Sequence, residues 1–485
     1  MKLFDCLSEK EILNPPENWG TIDISGVCCD TRTLKAGDAF FAIPGTKDDG
    51  ASYAKQAAEM GASCIISEKP FDGALGIPTL TVSDVRGAFA KACFRAEGDP
   101  QKKLRVIGVT GTNGKTTVTN VIKKILTDTG KKCAMFTTVG YDVCGAFYPS
   151  THTTPPPEKL ASLFAEAVKN GAEYAVMEVS SHSIAQKRVG ALDFEIGIFT
   201  NITRDHLDYH KTMEEYTRVK SSFFSFCKHS VINLDDERAH DIASGAKNNV
   251  YFVSAKEHAD FDISDVSVSP EGMSYTLRGN GTDMNINLSV AGDFNIYNTA
   301  EAAVSARLLG ISEKDIASSL ASFTGVDGRM ENVCRGKTPY TVIIDYAHTP
   351  DALIKALEAC RKITRGKLFC VFGCGGNRDR GKRFEMGEIA SRLADTAVIT
   401  SDNPRNEEPE DIIKDIVSGI TDGRANYVTI VSRKEAIEYA LANAAEGDVI
   451  LLAGKGHENY IIDKDGTHYF SEKDIVMNFI NRKES

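Results

Sequence analysis

The stretch that most constrains this chain is Gly108-Val109-Thr110-Gly111-Thr112-Asn113-Gly114-Lys115-Thr116-Thr117. The apolar pair Val106-Ile107 precedes it, and a helix-like run from Val118 to Ile122 follows. A strand that turns through glycines into a helix opening on Lys-Thr is a device for holding polyphosphate. The glycines let backbone N–H groups crowd around phosphate oxygens, and the helix N-terminus adds partial positive charge. In this pattern Gly111, Thr112, Asn113, Gly114, Lys115, Thr116 and Thr117 cradle a nucleotide. Lys115 reaches the terminal phosphates, and the Thr116 hydroxyl sits on Mg²⁺. The usual spacing places glycine five residues before Gly114, where this chain has Val109, so the loop is a variant.

The loop needs a parallel sheet behind it, and the remaining sequence supplies one. From about residue 104 to 325 apolar runs alternate with helical stretches: 173–179, 196–200 and 231–234 are the strand candidates. Past Phe323-Thr324-Gly325-Val326-Asp327-Gly328 the alternation restarts with runs at 341–345, 368–372, 396–400 and 448–452. Each of these ends in a polar, Gly-containing loop, the pattern of a doubly wound sheet with a crevice at its carboxyl edge. The expected organisation is α/β in three domains: a mixed α/β domain at 1–98, a central nucleotide-binding domain at 99–326 with a mostly parallel sheet, and a Rossmann-like doubly wound domain at 327–485. A chain of 485 residues is long enough for several cores. Its formal net charge of −11 argues against a nucleic-acid surface. No apolar run has the length of a membrane span, and Met1-Lys2-Leu3-Phe4-Asp5 lacks the apolar core of a signal peptide. The twelve cysteines lack paired zinc spacing and read as free thiols in a reducing cytoplasm.

Two further segments carry chemistry. In Met177-Glu178-Val179-Ser180-Ser181-His182 a carboxylate ends a buried strand. In the same sheet as a phosphate loop it is a candidate Mg²⁺ ligand. The run from Asn201 to His210 places many polar groups directly after another core strand, which marks a site rather than a plain turn.

Together Gly111–Thr117, Glu178–His182 and Asn201–His210 resemble the Mur ligase family, whose members add amino acids to the peptide of the bacterial cell-wall precursor. The resemblance extends to Gly292-Asp293-Phe294-Asn295-Ile296-Tyr297-Asn298, to Gly328-Arg329-Met330-Glu331 and to Asp345-Tyr346-Ala347-His348-Thr349-Pro350, so it spans all three expected domains. It implies an ATP-dependent amide ligase. ATP phosphorylates a carboxylate, an amine attacks the acyl phosphate, and fixed cations and Mg²⁺ stabilise the charge that builds on oxygen. It assigns catalysis to Lys115, Glu178, His206 and Lys220, and adds Asn295, Asn298, Arg329 and Asp345 to the ATP site. The implied metal ligands are Thr116, Glu178, His206 and Lys220, the lysine as its carbamate (N6-carboxylysine). Imidazole is softer than Mg²⁺ prefers, and Lys220 by itself reads as a solvated helix lysine.

For the uridine-nucleotide substrate the resemblance implies Cys29 and Thr31, then Thr46, Lys47 and Asp48, then Thr153 and Thr154, with Ser180, Gln186 and Arg188 on the muramoyl peptide. Asp402-Asn403-Pro404-Arg405 matches the family's signature for meso-diaminopimelate, with Arg378, Gly454 and Glu458 completing that pocket. Diaminopimelate carries a second carboxylate that lysine lacks, and a guanidinium fork pairs bidentately with a carboxylate. The expected reaction joins meso-2,6-diaminopimelate to UDP-N-acetylmuramoyl-L-alanyl-D-glutamate in the cytoplasm, with ATP and Mg²⁺. Its partners would be small molecules, without nucleic acid or membrane, and the enzyme would be a monomer. The competing readings are the same chemistry with L-lysine, folylpolyglutamate synthesis on a related scaffold, and a nucleotide-binding switch.

Overall fold

Four strands in the last third of the chain are buried on both faces, and their side chains divide cleanly between them. Ile343, Cys370, Ala397 and Leu451 point to one core, and Val342, Phe369, Val398 and Ile450 to another. The tertiary structure is a computed structural model that describes every residue except 14, 46–47, 72, 74, 270–271, 291, 421–425 and 485. It divides into two compact units: Met1–Gly111, Ile122–Thr200 and His210–Phe252 form the first, and Thr112–Val121, Asn201–Tyr209 and Val253–Ser485 the second.

The first unit holds two sheets. Val27–Cys28, Ala39–Phe41, Cys64–Ser67 and Thr79–Thr81 form a four-stranded parallel sheet in that order. In the larger sheet the strand Arg105–Thr110 lies between Phe194–Phe199 and Tyr174–Glu178, all parallel. Cys227–Asn233 extends it in parallel on one side and Cys133–Phe136 on the other. The hairpin Gly140–Val143 and Ala146–Pro149 then closes that edge antiparallel. Tyr174–Glu178 is buried along its whole length, as a parallel strand covered on both faces must be, so its sequence reads as a continuous apolar run.

The second unit contains an antiparallel meander, Phe261–Ser269, Gly272–Gly279 and Thr282–Leu288. Here the expected helix–strand alternation fails. Thr282–Leu288 buries every second residue, the signature of a sheet with one wet face. The helices Phe294–Leu308 and Glu313–Ala321 follow. The last sheet runs Glu331–Asn332, Thr341–Asp345, Val449–Ala453, Leu368–Phe372, Thr396–Ile399, Asn426–Thr429, parallel except for its first pair. Helices Pro350–Ile363, Gly381–Leu393 and Pro409–Val417 pack on one face, and Arg433–Asn443 and Glu472–Glu484 on the other. The expected doubly wound sheet is therefore present. The loops at 345–349, 373–380, 400–405 and 454–458 all leave carboxyl ends of its strands, where such sheets bind ligands.

Candidate active site

Buried hydroxyls and one carboxylate build the polar centre of the first unit. Glu178 is 1% exposed. Its carboxylate accepts the Thr138 backbone N–H at 3.0 Å and the Thr138 hydroxyl at 3.1 Å. Thr138 also reaches the Thr153 hydroxyl at 3.2 Å. The fully buried Thr154 donates to the Glu178 carbonyl at 2.8 Å and accepts the Ser180 N–H at 3.1 Å. Arg188 donates to the Thr154 carbonyl at 2.9 Å and to Gln186 Oε1 at 2.7 and 3.0 Å. Six expected site residues thus share one network whose central link, Thr138, sequence reasoning missed.

Lys220, on the helix Met213–Phe223, is 1% exposed and donates to the Gly111 carbonyl at 2.8 Å, with its ammonium 4.7 Å from the Tyr216 ring centroid. This overturns its reading as a solvated lysine. Its helical register turns it under the first glycine of the phosphate loop, where backbone oxygen and a ring face replace water. Cys29 lines a cavity of about 290 Å³ with Gly26, Asp30, Lys35, Phe89 and Glu158. Burial pushes the Cys29 thiol up to about 12 and also raises the Glu158 carboxyl. Thr31, nearby in sequence, is not among the residues lining the cavity. Asp48 is exposed, and its carbonyl accepts the Gly45 N–H at 2.8 Å. Thr46 and Lys47 lie outside the described residues.

In the second unit the rest of the phosphate loop is laced to the segment Asn201–Thr203. The Thr112 and Asn113 N–H groups donate to the Asn201 carbonyl and Oδ1, at 2.8 and 3.0 Å. Thr203 N–H donates to the Thr112 hydroxyl at 3.0 Å. Asp351 accepts from Asn113 Nδ2 at 2.9 Å and from the Thr203 hydroxyl at 3.1 Å. Lys115 folds back onto the Thr112 carbonyl at 2.8 Å. Gly114 has φ +89°, and Thr116 and Thr117 are buried in the first helical turn.

Arg329 Nη2 donates to the Thr116 hydroxyl at 3.2 Å, and its guanidinium lies 4.6 Å from the Tyr346 ring centroid. The Asp345 carboxylate is taken up by the N–H groups of Met330 and Ala347, both at 2.8 Å. Burial raises its pKa and Arg329 pulls it back. The carboxylate thereby braces the Arg329 turn, where Met330 is left-handed at φ +48°. Asn295 and Asn298 are buried in the helix Phe294–Leu308 and joined at 2.9 Å. His206 is left-handed at φ +55°, with Nε2 3.4 Å from the Asp205 carboxylate. Of the expected metal ligands, Glu178 and Lys220 fall in the first unit, and Thr116 and His206 in the second.

The crevice of the last sheet is strongly charged. Asp402, Asn403 and Pro404 are buried, and Lys455 is fully so. Lys455 Nζ lies 3.2 Å from Asp402 Oδ1, 3.2 Å from Asn403 Oδ1 and 3.6 Å from Glu458 Oε2. Asn403 Nδ2 donates to Glu458 Oε2 at 2.9 Å. Gly454 has φ +114°, and a Cβ there would stand 3.2 Å from Asp402 Oδ2, so only glycine closes this turn without strain. Arg405 Nη1 donates to the Gly376 carbonyl at 2.9 Å. A Cβ on Gly375 would lie 2.9 Å from Arg405 Nη1 and 3.7 Å from Arg378 Cγ, so the two arginines flank one backbone position. Their neighbours Arg380 and Arg383 are neutralised by Glu407, and Arg383 also by Asp415. Among the described residues neither Arg378 nor Arg405 has an ion-pair partner. Two guanidinium groups beside a carboxylate suit a ligand that carries both an anion and an ammonium.

Three family models cover the chain in order: "Mur ligase family, catalytic domain" at residues 23–92, "Mur ligase middle domain" at 109–306, and "Mur ligase, glutamate ligase domain" at 328–456. A relative from Caldanaerobacter subterraneus subsp. tengcongensis is 40% identical over 487 residues, spanning 100% of both chains. The chain belongs to the Mur ligase family. That relative and one from Clostridium tetani, 42% identical over 99% of each chain, are both named UDP-N-acetylmuramoyl-L-alanyl-D-glutamate–2,6-diaminopimelate ligase. A solved structure under the same name is 31% identical, with a TM-score of 0.72 and coverage of 100% of this chain and 99% of the other. Like its family, this Mur ligase is an enzyme built of mixed α/β domains with mostly parallel sheets. No helix among the described residues is long and apolar enough to cross a membrane.

Beyond the expected residues, the geometry of this Mur ligase adds Thr138, Asp351, Tyr346 and Lys455. Lys455 had a usable signal, a lone lysine between glycines directly after the core run 449–453. Thr138 and Asp351 had none, because their partners are 40 and 238 residues away in sequence.

Proposed function

We propose that this Mur ligase joins meso-2,6-diaminopimelate to UDP-N-acetylmuramoyl-L-alanyl-D-glutamate at the expense of ATP, in the cytoplasm. The observation that carries the choice of amino acid is the pair of unneutralised guanidinium groups, Arg378 and Arg405, flanking Gly375. L-Lysine has no second carboxylate, so it would leave both cations without a counter-ion. The Glu458 carboxylate and Asn403 suit the ammonium at that end of the amino acid, and Gly454 provides close backbone approach.

The dipeptide carboxylate is inert toward amines until ATP converts it to an acyl phosphate. Lys115 and the loop 111–117 would hold the β- and γ-phosphates, and Arg329 would complete the clamp from its Tyr346 platform. Asn295 and Asn298 would flank the adenine. Thr153, Thr154, Ser180, Gln186 and Arg188 would orient the muramoyl peptide, with Cys29 and Thr31 toward the uridine end. The residues that would hold a divalent cation are Glu178, Thr116 and His206, of which the carboxylate and the hydroxyl are hard oxygen donors. Mg²⁺ would supply charge neutralisation at the phosphoryl oxygens. As a carbamate, Lys220 would gain an anionic oxygen pair and keep one N–H for the Gly111 carbonyl. The cytoplasmic assignment rests on twelve free thiols, all but Cys29 and Cys144 buried.

The test is product mass with each amino acid in turn. Diaminopimelate should give the tripeptide at a kcat/KM well above that for L-lysine. Arg405→Ala should lower kcat/KM for diaminopimelate by roughly a hundredfold or more, the scale of a lost charge-assisted fork. Equal use of L-lysine, or an indifferent Arg405→Ala, would overturn the choice of amino acid.

A further inference from the structure

Lys455 has no assigned role in ligation, yet it is fully enclosed in the crevice. Its side chain is 0% exposed, and three polar groups converge on it: Asp402 and Asn403 from the loop after Thr396–Ile399, and Glu458 from its own turn. Tyr460 and Phe470 wall it on other sides, their ring centroids 5.8 and 6.0 Å from Nζ. We propose that Lys455 is a positioning residue for the incoming amino acid, holding the Asn403 amide and the Glu458 carboxylate from behind in the arrangement that grips the substrate ammonium. This rests on the assignment of Glu458 made above.

The geometry sets the Asn403 amide without ambiguity. Its Oδ1 receives Lys455 Nζ at 3.2 Å and the Ile462 N–H at 2.9 Å, so Nδ2 must face Glu458, at 2.9 Å. A flipped amide would set donors against a cation and an N–H. The charges around the cluster leave no substitute for Lys455. Of the other buried cations here, Arg433 is spent on Glu472 at 2.8 Å and on the Ala453 carbonyl at 2.7 Å, and Arg383 on Glu407 and Asp415. Tyr346 and Tyr460 are neutral, and Arg405 is engaged by the carbonyls of Gly376 at 2.9 Å and Asn403 at 3.3 Å. Without Lys455, Arg433 alone would serve three carboxylates, Asp402, Glu458 and Glu472. Burial already raises the Glu458 carboxyl, and Lys455 is the first opposing influence. Removing it drives Glu458 toward its neutral form, which cannot pair with an ammonium.

The test is steady-state kinetics with each substrate varied separately across pH, in the wild type, Lys455→Met, Lys455→Gln and Lys455→Arg. Lys455→Met should raise KM for diaminopimelate by about tenfold or more at neutral pH, tenfold being the loss when the carboxyl titrates one unit above the working pH. KM for ATP and for the uridine nucleotide should stay within about twofold. The deficit should shrink as pH rises, because Glu458 regains its charge. Lys455→Gln keeps a donor without the charge and should give the same split if Lys455→Met is insoluble. Lys455→Arg should restore most of the wild-type profile. A pH-independent deficit, or equal loss for all three substrates without rescue by arginine, would show a merely structural lysine and overturn the proposal. If the wild type ligates diaminopimelate while these variants fail to separate, the proposal falls alone. If the wild type does not ligate it, the assignment of the pocket falls too.

Discussion

Single residues show how far chemistry outruns sequence position. His457 stands one residue before Glu458, yet its ring belongs with Tyr346, 5.2 Å away between centroids, and its Nδ1 is buried without a hydrogen-bond partner. Burial, reinforced by Arg329, lowers its pKa from 6.5 to about 4. The sign follows directly. Between those values the unfolded chain binds a proton that the folded chain refuses, so stability is lost as pH falls from about 6.5 toward 4. We expect His457→Phe to flatten the pH dependence of the urea midpoint in that window, by an effect of up to about 3 kcal/mol. An unchanged slope would contradict the assignment. The same contrast holds for Lys220. A helix lysine by itself reads as solvated, whereas the fold buries it against the Gly111 carbonyl.

At the scale of elements, parallel strands were legible because each is a continuous apolar run covered on both faces: 341–345, 368–372, 396–399 and 449–453 all fall where their composition puts them. The meander from 261 to 288 was missed, although Thr282–Leu288 carries clean period-two burial. A pattern with one polar face is easily taken for loop when the neighbouring segments are helical. How helices attach to the last sheet was not legible. Arg433, at the start of Arg433–Asn443, pairs with Glu472 at the start of Glu472–Glu484 and bonds the Ala453 carbonyl at the end of the central strand. Arg433→Met leaves Glu472 buried and unpaired, and should cost about 3–5 kcal/mol. Adding Glu472→Leu should recover most of that loss, because the uncompensated charge, rather than the missing bond, is the penalty. Denaturation midpoints of the two variants check this.

For the whole molecule, the proposed chemistry requires that phosphate release and amide formation be one event. Phosphate should appear only with both the muramoyl dipeptide and the amino acid present, at one phosphate per amide. Sustained release with ATP alone would point to a switch or simple hydrolase. The net charge of −11 gives the molecule a field unfavourable to anionic substrates, so in the proposed reaction their capture would depend on local cations such as Lys115, Arg329, Arg378 and Arg405.

Local sequence was sufficient for the phosphate loop, the parallel strands and the residue types at the carboxyl edges of the sheets, because each depends on neighbours within one strand, turn or helix. Those are short-range steric and hydrogen-bonding constraints, written in glycines, apolar runs and a Lys-Thr pair. Which charges are neutralised and which stay open depends on residues far apart in the chain. Arg383 and Arg405 are indistinguishable as letters, but folding brings Glu407 and Asp415 to the first and leaves the second beside Arg378. Glu178 acquired Thr138, and Lys455 acquired Asp402 and Asn403, in the same way. Burial sets the strength of each such pairing, and burial is a property of the packed chain. The Gly-rich loop therefore announces a nucleotide, while the proposed choice of amino acid rests on two guanidinium groups that packing leaves without an ion-pair partner among the described residues.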